Sequence, residues 1–483
     1  MRTRKIALIT VAASLTAGCV VGPNYNKPAV STPPKWSEPL AEGATSGPAV
    51  QAQWWKTFKD PELDSLIARA VAANLDLKVA EARVREARAQ YGAVKADRGP
   101  TLDLAASADR TLESRNQPLI GALPLPPGVP FANNVYQAGF DASWEIDVFG
   151  GTHREVEAAG AQLSAMDYSR QSAYISLLGE VARNYIELRS TQRRLAITEE
   201  NILAQEQALA IVEGRLAHGL AAELDRDQAS SVLSSTRAAV PSLESSIRLS
   251  VHRLGLLLAL PPGALSAELH NDAPIPVAPP EIPVGLPSDL ILRRPDIQQA
   301  ERELAAATAM IGMAKSDWFP KFYLTGADGY QSTGSAEWFT SNSSFWSLGP
   351  TVQWRIFDAG RIRANIRFRD ARAEQALSRY EQTVLASFEE VENALSSYAN
   401  EKVRQRSLEA AATADRNALA QSRNLYANGL SPFLNVLDAE RSLYQAEDTL
   451  VQSDRAIAQD LVALYKALGG GWSQGKEGAS PSA

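Results

Sequence analysis

The residue with the most distinctive chemistry in this chain is its one cysteine, Cys19. It closes the run Leu15-Thr16-Ala17-Gly18-Cys19, which follows a basic start (Arg2, Arg4, Lys5) and an apolar stretch from Ile6 to Leu15. That layout reads as a secretory signal, too short for a membrane span, and its end resembles a bacterial lipobox. Residues 1–18 are therefore expected to be removed, leaving Cys19 as a lipidated N-terminus with an S-diacylglycerol and an N-palmitoyl chain. No aspartate follows the cysteine, which favours export to an outer membrane. The other reactive types are sparse. His153, His218, His252 and His270 are the only histidines and lie far apart, so neither a metal site nor a disulfide framework is expected. There is no phosphate loop, nucleophile elbow or paired acid/base system, and the expectation is no enzyme and no cofactor beyond the covalent lipid. One charged set has useful spacing: Leu434, Asp438 and Arg441, four and three apart, can share one helix face.

The whole chain bounds what these residues can do. Its 483 residues carry 48 basic and 55 acidic side chains, a formal charge of −7. A nucleic-acid binder normally shows a basic footprint, and none is present. With 45% apolar and 21% charged residues the composition is that of a folded protein. No apolar run reaches the ~18 residues of a membrane helix, which argues against an α-helical transporter. Residues 20–50, rich in Pro, Ser and Gly, suggest an extended tether, the tethered N-terminal segment being taken as 19–61.

The chain is also duplicated. At a spacing of 210, Trp144 matches Trp354, Gly150 matches Gly360, Ala217-Gly219-Leu220 match Ala427-Gly429-Leu430, and Leu224 matches Leu434. Nearer the start of each copy the spacing is 220, as in Asp76/Asp296, Glu81/Glu301 and Pro100/Pro320. The copies are 62–260 and 289–468, joined by a Pro-rich linker at 261–288 and followed by a tail at 469–483. The ten extra residues of the first copy fall in a proline-rich stretch between Leu104 and Trp144.

Within each copy the periodicity runs helix, strand, strand, long helix, short helix. Thr101–Arg110, Gln137–Asp147, Lys321–Tyr330 and Ser347–Phe357 alternate apolar and polar residues, the third least regularly, as strands of an outer-membrane barrel do. Residues 153–216 and 361–426 read as polar, alanine-rich helices, each roughly 95–100 Å long at ~1.5 Å per residue. The shorter helical stretches 62–98 with 224–259, and 289–317 with 434–468, would stack end to end beside them and bury a coiled-coil stripe. Pro241 predicts a kink confined to the first copy. Four strands cannot close a barrel, for which about eight is the minimum, and open edges are not tolerated in lipid. The chain must therefore assemble with copies of itself.

These features converge on a resemblance to the TolC-like outer-membrane efflux proteins, in particular the lipoprotein (NodT-type) branch that serves resistance-nodulation-division pumps. It rests on Cys19 with Gly22-Pro23-Asn24-Tyr25, then Trp54-Trp55, Phe58, Asp60-Pro61 and Leu63. It continues with Asn74-Leu75-Asp76-Leu77, Leu292-Arg293-Arg294-Pro295-Asp296-Ile297, and Val436-Leu437-Asp438-Ala439 through Arg441-Ser442-Leu443. The resemblance implies a mixed α and β membrane protein whose homotrimer forms a twelve-stranded barrel on a twelve-helix periplasmic tunnel. It implies a passive conduit that receives substrate from an inner-membrane pump through a periplasmic adaptor. The tips bearing Gly219 and Leu220, and Gly429 and Leu430, would meet the adaptor. Leu434, Asp438 and Arg441 would form the resting periplasmic constriction. In the first copy Leu224 is kept while Gln228 and Ser231 replace the Asp and Arg, which leaves Asp225 and Asp227 as candidates to complete the lock. Loops 111–136 and 331–346 would face outside.

Three rivals share some of these features. A lipid-anchored cell-wall hydrolase would need a catalytic cleft, for which the duplication leaves no free segment. A structural trimeric coiled-coil lipoprotein explains the helices but not the strands. A type I secretion outlet differs by the lipobox and the Arg-Arg-Pro-Asp run, which favour the pump-linked branch. The substrate is not legible, because the polar positions are generic.

Overall fold

The structure, a computed structural model, describes residues 20–38, 44–45, 52–112, 114, 132–277 and 282–471. The signal residues 1–18, Cys19, most of the 111–136 loop and the end of the 469–483 tail lie outside the described residues. In chain order the principal elements are α1 (Pro61–Ala73), α2 (Leu75–Ala96), β1 (Thr101–Leu112), β2 (Ala132–Ile146), α3 (Gly151–Ala217) and α4 (Glu223–Leu257). The second copy repeats them as α5 (Pro287–Arg293), α6 (Pro295–Ser316), β3 (Lys321–Ser332), β4 (Ser344–Gln353), α7 (Arg361–Ala427) and α8 (Leu434–Ala467). The chain divides into two compact units: residues 1–28, 85–165 and 300–379, and residues 29–84, 166–299 and 380–483.

The first unit holds a four-stranded antiparallel sheet in the order β1-β2-β3-β4. Its register keeps even-numbered residues together from strand to strand: Leu104 faces Phe140, Trp144 faces Leu324, and Phe322 faces Val352. One face is therefore apolar across the sheet, and Leu102, Leu104, Trp346 and Leu348 on it are exposed. Asp328, paired with Phe140 and Trp346, interrupts that face and accounts for the weaker alternation of β3, and Arg110 opposite Asn134 interrupts it near one end. Below the sheet the duplication is visible in single bonds. The Trp144 indole donates to the Arg98 carbonyl at 2.9 Å, and its counterpart Trp354 donates to the Trp318 carbonyl at 3.1 Å. The partner strand β3 begins at Lys321, opposite Gln353, so Trp354–Phe357 have no strand to pair with and leave the strand that the alternation predicts. Ile362 and Ile366, one turn apart on α7, bury against Ala314 of α6.

The second unit is helical, and its core begins in the segment expected to be a tether. Trp54, Trp55 and Phe58 are buried in a short 3-10 helix, and Trp54 stacks on Tyr465 at 5.3 Å. Upstream, residues 29–38 form no helix or strand but are seated: the Trp36 indole donates to the Gly285 carbonyl at 3.0 Å and the Ser37 and Glu38 amides donate to Glu392. Large aromatic side chains bury too much apolar surface to stay in solvent, so the described parts of this stretch pack where composition suggested an extended tether. Asp60 caps α1 by accepting from the Glu62 and Leu63 amides, with Pro61 at the first helical position, the arrangement proline prefers.

Each first helix of a copy is broken in two, at equivalent points. In the first copy the break is Asn74, whose amide donates to the Leu257 carbonyl at the end of α4 at 2.9 Å. In the second it is Arg294, which Pro295 keeps out of helical conformation and which donates to the Ala467 carbonyl at the end of α8 at 3.0 Å. Arg294 is buried and also pairs with Asp296 at 2.6 Å and Glu390 at 2.7 Å. Burial works against its charge, but the two carboxylates hold its pKa above the usual value. The Arg-Arg-Pro-Asp run is thus a helix-end brace. Helix α4 continues through Pro241 as a single element.

Candidate functional site

Both long helices end in the same turn, and the backbone dictates it. Gly219 and Gly429 have φ of 69° and 72°, a left-handed conformation that costs other L-residues energy and glycine little. The Leu220 amide reaches back to the Arg215 carbonyl at 2.8 Å, and the Leu430 amide to the Leu425 carbonyl at 2.9 Å. This six-to-one bond satisfies carbonyls that the helix end leaves open. The side chains of these leucines are not used in closing the turn, since Leu220 is 68% and Leu430 75% exposed.

Behind the tips, α3, α4, α7 and α8 share one core: Val212, Ala229, Leu419, Phe433, Val436, Leu437 and Leu443. Because α8 spends Val436, Leu437, Glu440 and Leu443 on its buried face, Leu434, Asp438 and Arg441 are turned outward. The structure brings Asp438 and Arg441 together at 2.9 Å, with side chains 68% and 72% exposed, and leaves Leu434 56% exposed. Asp225 and Asp227 are committed locally. Asp225 accepts the Ala222 amide at 3.2 Å at the start of α4, and Asp227 pairs with Arg226 at 2.7 Å.

Two tip contacts escaped the sequence. Arg215 lies over the Tyr426 ring at 4.8 Å and donates to the Tyr426 carbonyl at 3.4 Å, tying the two tips together. Burial raises the Tyr426 hydroxyl above its ordinary pKa. Glu440 is only 2% exposed and pairs with Arg423 of α7 at 2.8 Å through Oε1, while its Oε2 has no hydrogen-bond partner among the described residues. The available signal was an acidic residue in phase with the apolar positions 436, 437 and 443 of α8.

Along the hairpins the two copies use the same positions with opposite charges. Glu206 of α3 pairs with Arg237 of α4 at 2.5 Å, and 210 residues later Arg416 of α7 pairs with Glu447 of α8 at 2.7 Å. Further contacts join α3 to α8: Arg194 with Asp448 at 2.6 Å and Arg455 with Glu187 at 3.0 Å. Among the described residues no group of His, Cys, Asp and Glu could hold a metal ion, and no helix is long and apolar enough to cross a membrane. An amphipathic four-stranded sheet with long polar helices and a charged tip is an arrangement for lining a path through a membrane.

Known proteins share this arrangement. Residues 66–260 and 286–470 match the profile described as Outer membrane efflux protein. "Nodulation protein T" of Rhizobium leguminosarum bv. trifolii is 32% identical over 418 residues, covering 86% of this chain and 87% of that protein. "Outer membrane protein OprJ" of Pseudomonas aeruginosa is 33% identical over 486 residues, covering 99% and 98%. Among solved structures, the outer-membrane channel OprN superposes with a TM-score of 0.87 at 35% identity, covering 94% of this chain and 100% of that one.

Proposed function

The chain belongs to the outer membrane efflux protein family and is an outer membrane channel, and we propose that three copies form the passive exit duct of a tripartite pump, with a periplasmic adaptor and an inner-membrane resistance-nodulation-division transporter as partners. The observation that carries assembly is the sheet, with four strands, one apolar face and, among the described residues, unpaired edges at β1 and β4; the number three is what the family implies. Such a sheet is stable in lipid only when its edges are paired, so β4 of one protomer joins β1 of the next. Three copies give twelve strands, enough to enclose an aqueous path. The 67 residues of α3 and of α7 reach about 100 Å, which suits a duct that continues well beyond the bilayer. Cys19, lipidated with S-diacylglycerol and N-palmitoyl chains, is a second anchor.

The tips support the remaining assignments. Leu220 and Leu430, exposed beside Gly219 and Gly429, offer apolar contacts to the adaptor. Leu434, Asp438 and Arg441 present an outward ion pair that has no equivalent in the first copy, and three such pairs around an axis would narrow the duct. An exposed pair of this kind contributes only ~0.3–0.5 kcal/mol within one helix, so it is free to exchange partners with a neighbouring protomer. With Asp225 and Asp227 engaged locally, the intact lock has to re-pair one of them or recruit another acid.

Single-channel conductance in planar bilayers tests this reading. The wild type should conduct poorly, and the double substitution Asp438→Ala with Arg441→Ala should raise conductance while leaving the trimer intact in detergent sedimentation. Unchanged conductance would sink the gate. A stable monodisperse monomer would sink the duct.

A further inference from the structure

The N-terminal segment next to the proposed lipid is held by a built site within the first unit. Arg154, in the first turn of α3, is 3% exposed. Its Nε donates to the Val21 carbonyl at 3.3 Å, and its Nη2 donates to the Gly22 carbonyl at 3.4 Å and to Asn24 Oδ1 at 2.7 Å. Nη1 is taken by Glu157 at 2.7 Å. The Val21 amide donates in turn to the Phe149 carbonyl at 3.1 Å, in the connection between β2 and α3. A little further on, the Tyr25 hydroxyl donates to Glu301, and Arg302 lies over the Tyr25 ring at 5.6 Å. Burial opposes the charge of Glu301, but the bonds from Arg302 and Tyr25 hold its pKa below the usual range.

The seat is cut by a glycine. A Cβ on Gly312 would lie 2.8 Å from Arg154 Cγ and 2.9 Å from the Val21 carbonyl oxygen, and one on Gly22 would lie 2.4 Å from Gly312 Cα. The corresponding glycine of the first copy, Gly92, has nothing within 4 Å of the same position, and Ala364 stands where Arg154 would be. The groove with a buried cation therefore exists at one of the two equivalent places, and residues 20–25 occupy it. Val20 lies against Gly150, its Cγ1 2.9 Å from where a Cβ there would be. Val20 thus lies at the foot of the sheet, where Trp144 and Ile146 expose apolar surface, and Cys19 adjoins it in the sequence.

We propose that Arg154 and Gly312 form a receptor for residues 20–25 that fixes the lipid-bearing Cys19 at the foot of the membrane sheet, so that lipid anchorage and seating of the sheet are coupled. This rests on the lipidation of Cys19 under the function proposed above. Gly22-Pro23-Asn24-Tyr25 is the ligand of that receptor. Arg154 is a positioning residue: without the segment its buried guanidinium loses acceptors that no water replaces well.

Hydrogen exchange read by mass spectrometry on the full lipoprotein in detergent tests the receptor, and outer-membrane yield of assembled protein tests the coupling. In the wild type the Val21 amide, which donates to the Phe149 carbonyl, should exchange slowly. Gly312→Val and Arg154→Met should abolish that protection while the amides of α3 and α6 stay protected, and Asn24→Ala should weaken it less. Assembled yield should fall in the same order, with lipidated, unassembled chain accumulating. Fast exchange of this amide in the wild type, or unchanged protection in Gly312→Val, would overturn the receptor. Protection lost with yield intact would overturn the coupling. Palmitate labelling, run alongside, separates the two readings: an unlabelled wild type refutes lipidation and with it the coupling, whereas the exchange pattern still decides the receptor.

Discussion

The two copies of the repeat are the same backbone with different side chains, and the places where they agree differ in kind from the places where they do not. Both end the long helix on a glycine with positive φ, both bond a tryptophan indole near the end of the second strand to a carbonyl that follows the preceding helix, and both brace the end of the returning helix. The brace is an asparagine in one copy and an arginine in the other, and the hairpin ion pair Glu206–Arg237 returns as Arg416–Glu447 with its polarity reversed. Duplication has kept the positions at which contacts are made and let the chemistry drift, provided each contact stays balanced. The second copy alone carries Asp438–Arg441 and the buried Glu440–Arg423, against Gln228, Ser231, Ser230 and Glu213 in the first. An ion pair with no counterpart is a better guide to special function than one whose position is simply inherited.

The largest break in this comparison should come from the braces. Arg294→Ala removes a buried guanidinium and leaves the Ala467 carbonyl without its donor, while Glu390 and Asp296 are exposed enough to be taken up by solvent; charged hydrogen bonds of this kind contribute about 1.5–3 kcal/mol each. Asn74→Ala removes two neutral bonds, one to the Leu257 carbonyl and one accepted from the Leu77 amide, and should cost about 1–3 kcal/mol. Thermal unfolding in detergent should rank the two in that order, and equal losses would mean that the extra charges of the second brace contribute nothing.

Next in size, Gly219→Ala and Gly429→Ala should each cost roughly 1–2 kcal/mol, the penalty of a left-handed L-residue, and should do so equally. Equality is the point. Their φ values differ by only a few degrees, and a markedly larger loss at either tip would show that the tips are not backbone equivalents.

A smaller effect depends on pH. Asp460 is pushed up to about 6 by burial and by the nearby Glu401 carboxylate, where the first copy has the neutral Ser250 and Thr191. The folded chain holds this proton more tightly than the unfolded one, so the contribution of Asp460 to stability is greatest at low pH and falls as pH rises from about 4 through 6. Asp460→Asn should raise the melting temperature at pH 8 and flatten its change between pH 5 and 8. Asp460 is only half-buried, so solvent screening keeps the difference below about 1 kcal/mol.

Smallest of all, Glu206→Arg and Arg237→Glu should each cost about 0.5 kcal/mol, the scale of an exposed pair, and together should restore stability by copying the polarity of the second repeat. A double variant no better than the singles would show that the hairpin environment, not the pair, selects the sign.

The sequence by itself determined the duplication, the helix and strand types, the tip turns and the apolar face of the sheet. Those are local properties: alternation with a period of two, helical periodicity, and a glycine where φ must be positive act within a few residues and can be read along the chain. The break at Arg294 could be read in the same way, from the proline that follows it. What the sequence could not determine is which groups meet across helices. Arg154 reaching Asn24, Arg294 reaching Ala467 and Arg423 reaching Glu440 join residues whose separation carries no period. Each depends on which helix lies alongside and how each is rotated, and only the packed tertiary structure sets those angles. That is why the supposed tether turned out to be seated in the described parts: its tryptophans and its Gly22-Pro23-Asn24-Tyr25 run had partners more than a hundred residues away, which composition cannot register.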